Sequence, residues 1–338
     1  MLRVVAIHDL AELDRYHLPW KRLLAAQTEV SFPQSIAYWR ALAELGEVRI
    51  LAVERSGELL GIAPFYRASG TQVAATPWTG GPWQAALGWR IVGTNPTLVM
   101  LAVWRWWREQ GDSSGNVELA GIESVGERER LLSTLSLVGD TPQVIEQSRS
   151  VIGLEHLVTE IAAAEIAHSH WLRYRPQGNA CGDGEACEYL LDACRAIAPH
   201  SFTTQTIPPA VHAAAAACGA LDLAVLLRGD VPVAFWYSIR SMGRLTLLAQ
   251  GCDLVADDNL SVDAWRQWLV EGRELGEREV AFDTRQIAIP QVLKPRLQIA
   301  PFQAVTIAVK HSRGNLLRRL WPFRQGTLSG RHSDTAAH

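Results

Sequence analysis

Short apolar runs broken by tight-turn residues dominate the second half of the chain. Leu221 to Arg228, Val231 to Ile239 and the stretch from Arg244 onward are rich in aliphatic, β-branched and aromatic residues. Gly229-Asp230 and Ser241-Met242-Gly243 separate them, so the pattern predicts three antiparallel strands joined as hairpins. After an Asp-rich stretch, Val262, Trp265, Trp268, Leu269 and Leu275 recur at helical spacing and predict a helix over 262–275. Asn259 or Ser261 can cap it by accepting a first-turn N–H. Residues 278–283 then read as one more strand.

The first half follows a similar order. Residues 3–7 predict a strand, and 9–26 a helix with Leu10, Leu13, Tyr16, Trp20 and Leu24 on one stripe. Ser31-Phe32-Pro33-Gln34-Ser35 opens a second helix through Trp39, Leu42 and Leu45, which Gly46 ends. Residues 48–53 and 59–66 form a hairpin across Glu54 to Glu58. A third strand over 72–75, a Gly-rich loop over 76–83, a helix over 96–110 and a strand over 117–120 complete this half. Helices over 185–198 and 209–218, with a short segment at 201–204 between them, precede the second-half strands. Two architecturally similar α/β units in tandem account for this order. The boundaries are 1–150 and 151–312, joined through a helix read over 154–171, with a basic tail at 313–338.

The chain of 338 residues has room for two domains. A net charge of −3 argues against a generic DNA binder. The apolar run at the N-terminus is too short for a signal peptide, and no run approaches the roughly 20 apolar residues of a membrane helix. The expected location is cytoplasmic. Cys181, Cys187, Cys194, Cys218 and Cys252 form no Cys-x-x-Cys pair, which reads as reduced, buried thiols. His168 and His170 have no third ligand at metal spacing, so no metal site is expected. His200 reads as a surface histidine or a base. Residues 313–324 carry Arg313, Arg318, Arg319 and Arg324 among Leu316, Leu317, Leu320, Trp321 and Phe323. Such a segment either packs on the body or makes peripheral contact with an anionic membrane or a protein.

Several segments together resemble one family. They are Trp20 to Leu24, Ser31-Phe32-x-x-Ser35-x-x-x-Trp39 and Leu51 to Phe65 in the first half. In the second they are Gly229 to Ala234, Gly243-Arg244, the helix ending at Gly276, and Phe282-Asp283 followed by Leu293-Lys294. This set, covering most of 20–310, resembles the tandem GNAT-fold acyltransferases of the cellulose-biosynthesis group, which are related to the Fem peptidyltransferases. The resemblance implies an α/β (α+β) fold of two GNAT-like domains, each a mostly antiparallel central sheet flanked by helices. It implies transfer of an acyl or aminoacyl group to an amine or hydroxyl, on a small-molecule or glycan acceptor. The settings are polysaccharide, cell-envelope or small-metabolite modification. Asp283 and Lys294 match positions where the family carries an aspartate and a lysine in its cleft. A strand-end salt bridge to Arg285 or Lys294 is the other reading of Asp283.

The departures concern the donor. Acyl-coenzyme A is the family's expected donor, yet the phosphate-binding glycine loop is not recognisable. The corresponding stretch, Gly251 to Asp263, has one glycine and is rich in aspartate. Thr79-Gly80-Gly81 in the first half is a second candidate, or a plain turn. The stretch before Arg173 and Arg175 is largely neutral, which argues against tRNA. Trp78 and Trp83 flank the Gly-rich loop, and with Trp236 they are candidates for stacking a sugar or aromatic substrate, although most such tryptophans build cores. The alternative to an enzyme is a catalytically silent GNAT-shaped scaffold that binds a partner in an envelope or polysaccharide assembly.

Overall fold

The computed structural model describes residues 2–27, 30–69, 76–110, 116–122, 125–140, 142–155, 169–176, 184–197, 207–252, 258–283, 287 and 289–308. The first half contributes β1 (Leu2–Ile7), β2 (Gly46–Arg55), β3 (Glu58–Ala68), β4 (Trp78–Thr79), β5 (Val92–Gly93), β6 (Asn116–Ile122) and β7 (Gln143–Gly153). The second contributes β8 (Ser169–Tyr174), β9 (Leu221–Arg228), β10 (Val231–Ser241), β11 (Arg244–Cys252), β12 (Glu279–Phe282) and β13 (Gln298–Ala308). All join one 13-stranded sheet in the order β1-β2-β3-β4-β6-β13-β7-β12-β11-β10-β9-β8, with β5 on β3.

That order is close to a palindrome. Each half runs from an antiparallel meander into a parallel pair, β4·β6 in the first and β11·β12 in the second. At the centre the halves exchange strands. β13, the last described strand, lies between β6 and β7 of the first half. β7 in turn pairs with β12 of the second half. Residue 150, the expected boundary, lies inside β7.

Helices cover both faces. On one face α1 (Leu10–Arg15), α2 (His17–Ala25), α3 (Ile36–Ala43), α7 (Gly184–Ile197) and α8 (Pro209–Ala217) share a single core. Trp20, Trp39, Leu191, Val211, Leu223 and Phe235 belong to it, so this core runs across both halves. On the other face the cores are separate. Trp104 and Trp107 of α5 (Pro96–Gln110), with Leu131 of α6 (Val125–Leu137), pack on Phe65. Trp265 and Trp268 of α9 (Asp258–Glu274) pack on Trp236 and Phe282. The continuous apolar run of β9 follows from this layering, because Leu221 to Leu227 are buried on both faces. Among the described residues no helix is long and apolar enough to cross a membrane.

Some expectations need correction. Residues 169–171 are strand, not helix. Exposure in β8 alternates along Ser169 to Trp171, and the Trp171 ring lies 5.1 Å from that of Trp236. The helix expected over 9–26 breaks at Tyr16, whose hydroxyl donates to Glu54 at 2.7 Å. Trp78 and Thr79, expected in a loop, form β4. The expectations for 72–75, 156–168, 201–206, His168, His200 and the tail at 313–338 lie outside the described residues.

A buried ionic network ties the far end of the second half together. Asp222 is fully buried (0% exposed) on β9. It accepts from Arg173 at 3.0 Å and pairs with Arg175. Arg175 also bonds Glu277 at 2.8 Å, and Glu277 pairs with Arg240 at 3.3 Å. Removing the central carboxylate leaves two largely buried guanidiniums short of their partner, and breaking such a pair costs about 3–5 kcal/mol. Asp222→Ala is therefore expected to lower the unfolding free energy by about that amount in urea titration. A loss below about 1 kcal/mol, the range of exposed pairs, would contradict this role.

Candidate functional site: two cavities around a one-turn helix

A cleft of about 570 Å³ opens where the halves meet. Ser31, Phe32 and Pro33 form one wall. Their turn is held from inside. The Ser31 N–H donates to Gln34 Oε1 at 2.8 Å, the Trp39 indole to the Pro33 carbonyl at 2.7 Å, and the Trp20 indole to the Gln34 carbonyl at 2.8 Å. Ser35 then caps α3 by accepting the Tyr38 N–H at 3.2 Å. The Ser31-to-Trp39 spacing noted in the sequence thus serves to shape a cleft wall.

The opposite wall is the turn from Ser241 to Arg244, between β10 and β11. Arg278 pins it, donating from Nη2 to the Met242 carbonyl at 2.8 Å and from its backbone N–H to the Gly243 carbonyl at 2.6 Å. Val151 and Gly153 of β7 and Gln298 of β13, the exchanged strands, also line the cleft. Its charged groups are Arg90, Arg244 and Arg278 with Glu155 and Glu279. Arg244 pairs with Glu279, and Arg90 stands 3.9 Å from Glu127. Glu155 is exposed and has no ion pair among the described residues.

The remaining wall comes from Ala86, Leu87, Gly88 and Gly121. Ala86 and Leu87 belong to the one-turn helix α4 (Gln84–Leu87). The other end of that turn, Gln84 and Ala85, lines a second cavity of about 460 Å³ with Tyr66, Thr79, Gly81, Glu118 and Ala120. This second cavity lies where a parallel pair parts. β4 and β6 are in register only at Trp78↔Val117 and Thr79↔Glu118. Beyond Thr79 the Gly80 N–H and the Ala120 N–H have no strand partner across the gap. Both donate to one atom, Gln84 Oε1, at 2.7 and 3.1 Å. The Gly81 N–H donates to Thr79 Oγ1 at 3.2 Å. A buried N–H left without an acceptor costs about 1–3 kcal/mol, so Gln84 closes the gap at a point that needs closing.

The glycines here answer to packing. Gly81 has φ +113, and a Cβ there would lie 2.6 Å from the Tyr38 hydroxyl. Gly121 has φ +74, and its Cβ would lie 2.3 Å from the Gln84 carbonyl oxygen. Burial pushes the phenols of both Tyr38 and Tyr66 above their ordinary range, so both stay protonated at neutral pH.

The residues singled out from sequence are scattered. Trp78 is 0% exposed, and its ring is covered by the guanidiniums of Arg49 and Arg67, at 4.2 and 4.5 Å. Trp236 is 2% exposed and stacks on Trp268 with ring centroids 5.8 Å apart. Neither indole has a face left for a ligand. Trp83 is half-buried against the shared core. Asp283 follows β12 and is half-buried, while Lys294 is exposed on the turn Gln291–Arg296. Neither lines either cavity. Residues 253–257 of the Asp-rich stretch lie outside the described residues. Gln84 and Arg278 were not singled out, because a single polar residue beside a turn carries no periodic signal, whereas Arg244 entered only within the Gly243-Arg244 segment of the family resemblance. Gly121→Ala is expected to cost about 2–3 kcal/mol through a strained φ and the clash with α4. An unchanged urea midpoint would show that this contact yields freely.

No protein-family model and no curated protein sequence matches the chain. Solved structures do resemble it. A tandem GNAT protein from the clavulanic acid biosynthesis pathway superposes with TM-score 0.53 at 10% identity, covering 92% of this chain and all of that one. FemX superposes with TM-score 0.54 at 10% identity, covering 88% of this chain and 96% of that one. The C-terminal domain of a putative lysylphosphatidylglycerol synthetase from Agrobacterium fabrum gives 0.52 at 10% identity, covering 86% and 91%. Together with the strand order, this likeness establishes the fold as two GNAT-like domains in tandem.

Proposed function

We propose that this protein is an acyl or aminoacyl transferase of the GNAT type. The donor occupies the cavity beside β4 and β6, and the acceptor occupies the central cleft. One observation carries the reading: two cavities of about 460 and 570 Å³ are lined by the two ends of α4, Gln84-Ala85 and Ala86-Leu87. Both volumes suit small-molecule ligands.

In the reaction the acceptor nitrogen or oxygen attacks the acyl carbonyl carbon. The bond from that carbon to the donor's leaving atom breaks, and the acceptor's proton ends on the leaving group. Glu155, exposed at the cleft and without an ion pair among the described residues, is the carboxylate assigned to take that proton first. Asp283, with Lys294 eleven residues on, is the competing assignment at the end of the β11·β12 pair. Three guanidiniums against two carboxylates in the cleft favour an acceptor that is acidic overall. An envelope setting draws support from a structural neighbour named as a putative lysylphosphatidylglycerol synthetase. Polysaccharide modification, including cellulose assembly, is the narrower form of the same proposal.

The second reading is a silent scaffold. It is favoured by the loop N–H groups of Gly80 and Gly81, which already have acceptors inside the protein. Thermal unfolding with acetyl-coenzyme A and palmitoyl-coenzyme A separates the two. A donor at about a hundred times its dissociation constant stabilises by about 2.7 kcal/mol. Stabilisation is expected for the transferase, and none with either donor for the scaffold. With a turned-over donor in hand, Glu155→Gln is expected to lower kcat about 10²–10⁴-fold and Asp283→Asn to leave it near wild type. The reverse result would move the base to Asp283.

A further inference from the structure

The central cleft does not end at its Ser241–Arg244 wall. A third cavity, of about 260 Å³, shares Ser31, Phe32, Ser241, Met242 and Gly243 with it, so the two spaces adjoin across one rim. Beyond the rim this side cavity is bounded by the turn after α8 and by two charged residues, Arg240 and Glu277. The turn is fixed there, because the Arg240 N–H donates to the Ala220 carbonyl at 2.6 Å. The charges behind it have an order. Glu271, Arg173, Asp222, Arg175, Glu277 and Arg240 form a chain of alternating sign, closed by contacts of 3.4 Å at the Glu271 end and 3.3 Å at the Arg240 end. Each inner member touches two opposite charges. Arg240 touches one. Its Nε donates to Glu277 Oε1, the same oxygen that accepts from Arg175 at 2.8 Å. The two Nη groups of Arg240 have no partner among the described residues. The Arg240 side chain is 33% exposed, against 5% for the carboxylate behind it. A guanidinium held by its Nε presents a planar fork of N–H donors, the shape that pairs with a carboxylate or a phosphate. Next to it in the chain, Ser241 Oγ is buried without a hydrogen-bond partner among the described residues, a state rare for a native hydroxyl. The cleft's own Arg278 and Arg244 are engaged, by the Met242 carbonyl and by Glu279.

We propose that the side cavity is a subsite for an acidic group, a carboxylate or a phosphate, on an elongated ligand of the central cleft. Arg240 binds that group through its Nη fork, and Ser241 donates its hydroxyl. The anion extends the alternating chain by one charge and gives Arg240 the second opposite neighbour that the inner members already have. Glu277 fixes the guanidinium from behind. Because Arg175 shares that carboxylate, it offsets the charge of Arg240 only in part. In the transferase reading, on which this rests, the ligand is the acceptor. Its amine or hydroxyl reacts in the cleft, and its acidic group is held across the rim at Met242. The acceptor class narrows to molecules whose carboxylate or phosphate stands well apart from the reacting nitrogen or oxygen.

The chain has 3 methionines, Met1, Met100 and Met242, so methyl-labelled methionine places one NMR reporter on the rim and another, Met100, in a separate core. The full-length protein is titrated with inorganic phosphate and, separately, with acetate, at constant ionic strength held by chloride. A saturable shift of the Met242 methyl is expected with at least one of them, with Met100 unmoved. The anion that binds more tightly names the acidic group. Arg240→Gln is expected to raise the dissociation constant about tenfold or more, the worth of a hydrogen bond to a charged group. Arg240→Lys keeps the charge without the fork and is expected to fall between the two. Arg90→Gln, in the cleft but outside the side cavity, is expected to leave the constant within about twofold. An unmoved Met242 with both anions, or equal affinity in wild type and Arg240→Gln, overturns the subsite. Should Arg240→Gln fail to fold, Arg240→Lys decides by the same constant. No donor takes part in these titrations, so the two readings fail separately. A response to acyl-coenzyme A without anion binding keeps the transferase and overturns the subsite. Anion binding at Arg240 without any donor response sustains the subsite and removes only the ligand's role as acceptor.

Discussion

The exchange of β7 and β13 is the constraint on which the rest of this structure depends. A parallel pair such as β4·β6 leaves the outer edge of β6 open, and an open edge must be paired or covered. Here the edge of β6 is paired by a strand that arrives from the end of the described chain, and the edge of β12 by one that arrives from the first half. Neither half closes its own sheet. The helices follow the same logic on one face, where a single apolar core runs from Trp20 and Trp39 to Val211 and Phe235. The central cleft is a direct product of this arrangement. Val151, Gly153 and Gln298 come from the exchanged strands, and the facing walls at Ser31–Pro33 and Ser241–Arg244 come one from each half.

A second physical rule shapes both cavities: polar backbone groups taken from water must find partners. The Ser31–Pro33 wall stands because indole and amide donors from Trp20, Trp39 and Ser31 are all satisfied within the turn region. The Met242–Gly243 wall stands because Arg278 takes both of its carbonyls. At the parted end of β4 the rule leaves two N–H groups facing one another across a gap, and Gln84 answers both. A site of this kind is built of backbone and held by one side chain.

Much of this was legible beforehand, for reasons that particular elements make plain. The β9–β11 meander announces itself because its strands are buried, apolar and split by turn residues, and Pro96–Gln110 because its apolar stripe is long. The exchanged strands do not. The first six residues of β7, Gln143 to Ser148, are all exposed, so no apolar face marks them as strand. β13 begins with Gln298 and Ile299 in solvent and contains Pro301. Trp78 and Trp236 drew attention as large aromatic residues near presumed openings, yet size and aromaticity are also what a core selects, and both are enclosed. Gln84 had no signal at all. Its role exists only once Gly80 and Ala120, far apart in the chain, are brought within reach of it.

Hydrogen exchange followed amide by amide across a urea series tests the interlocked sheet most directly. Strand exchange makes the halves one cooperative unit. The slowest amides of β2 and β3 and those of β9 and β10 are therefore expected to share one opening free energy and one denaturant slope. Two distinct values, with the amides of one half exchanging while those of the other stay protected, would contradict it and return the chain to two independent domains.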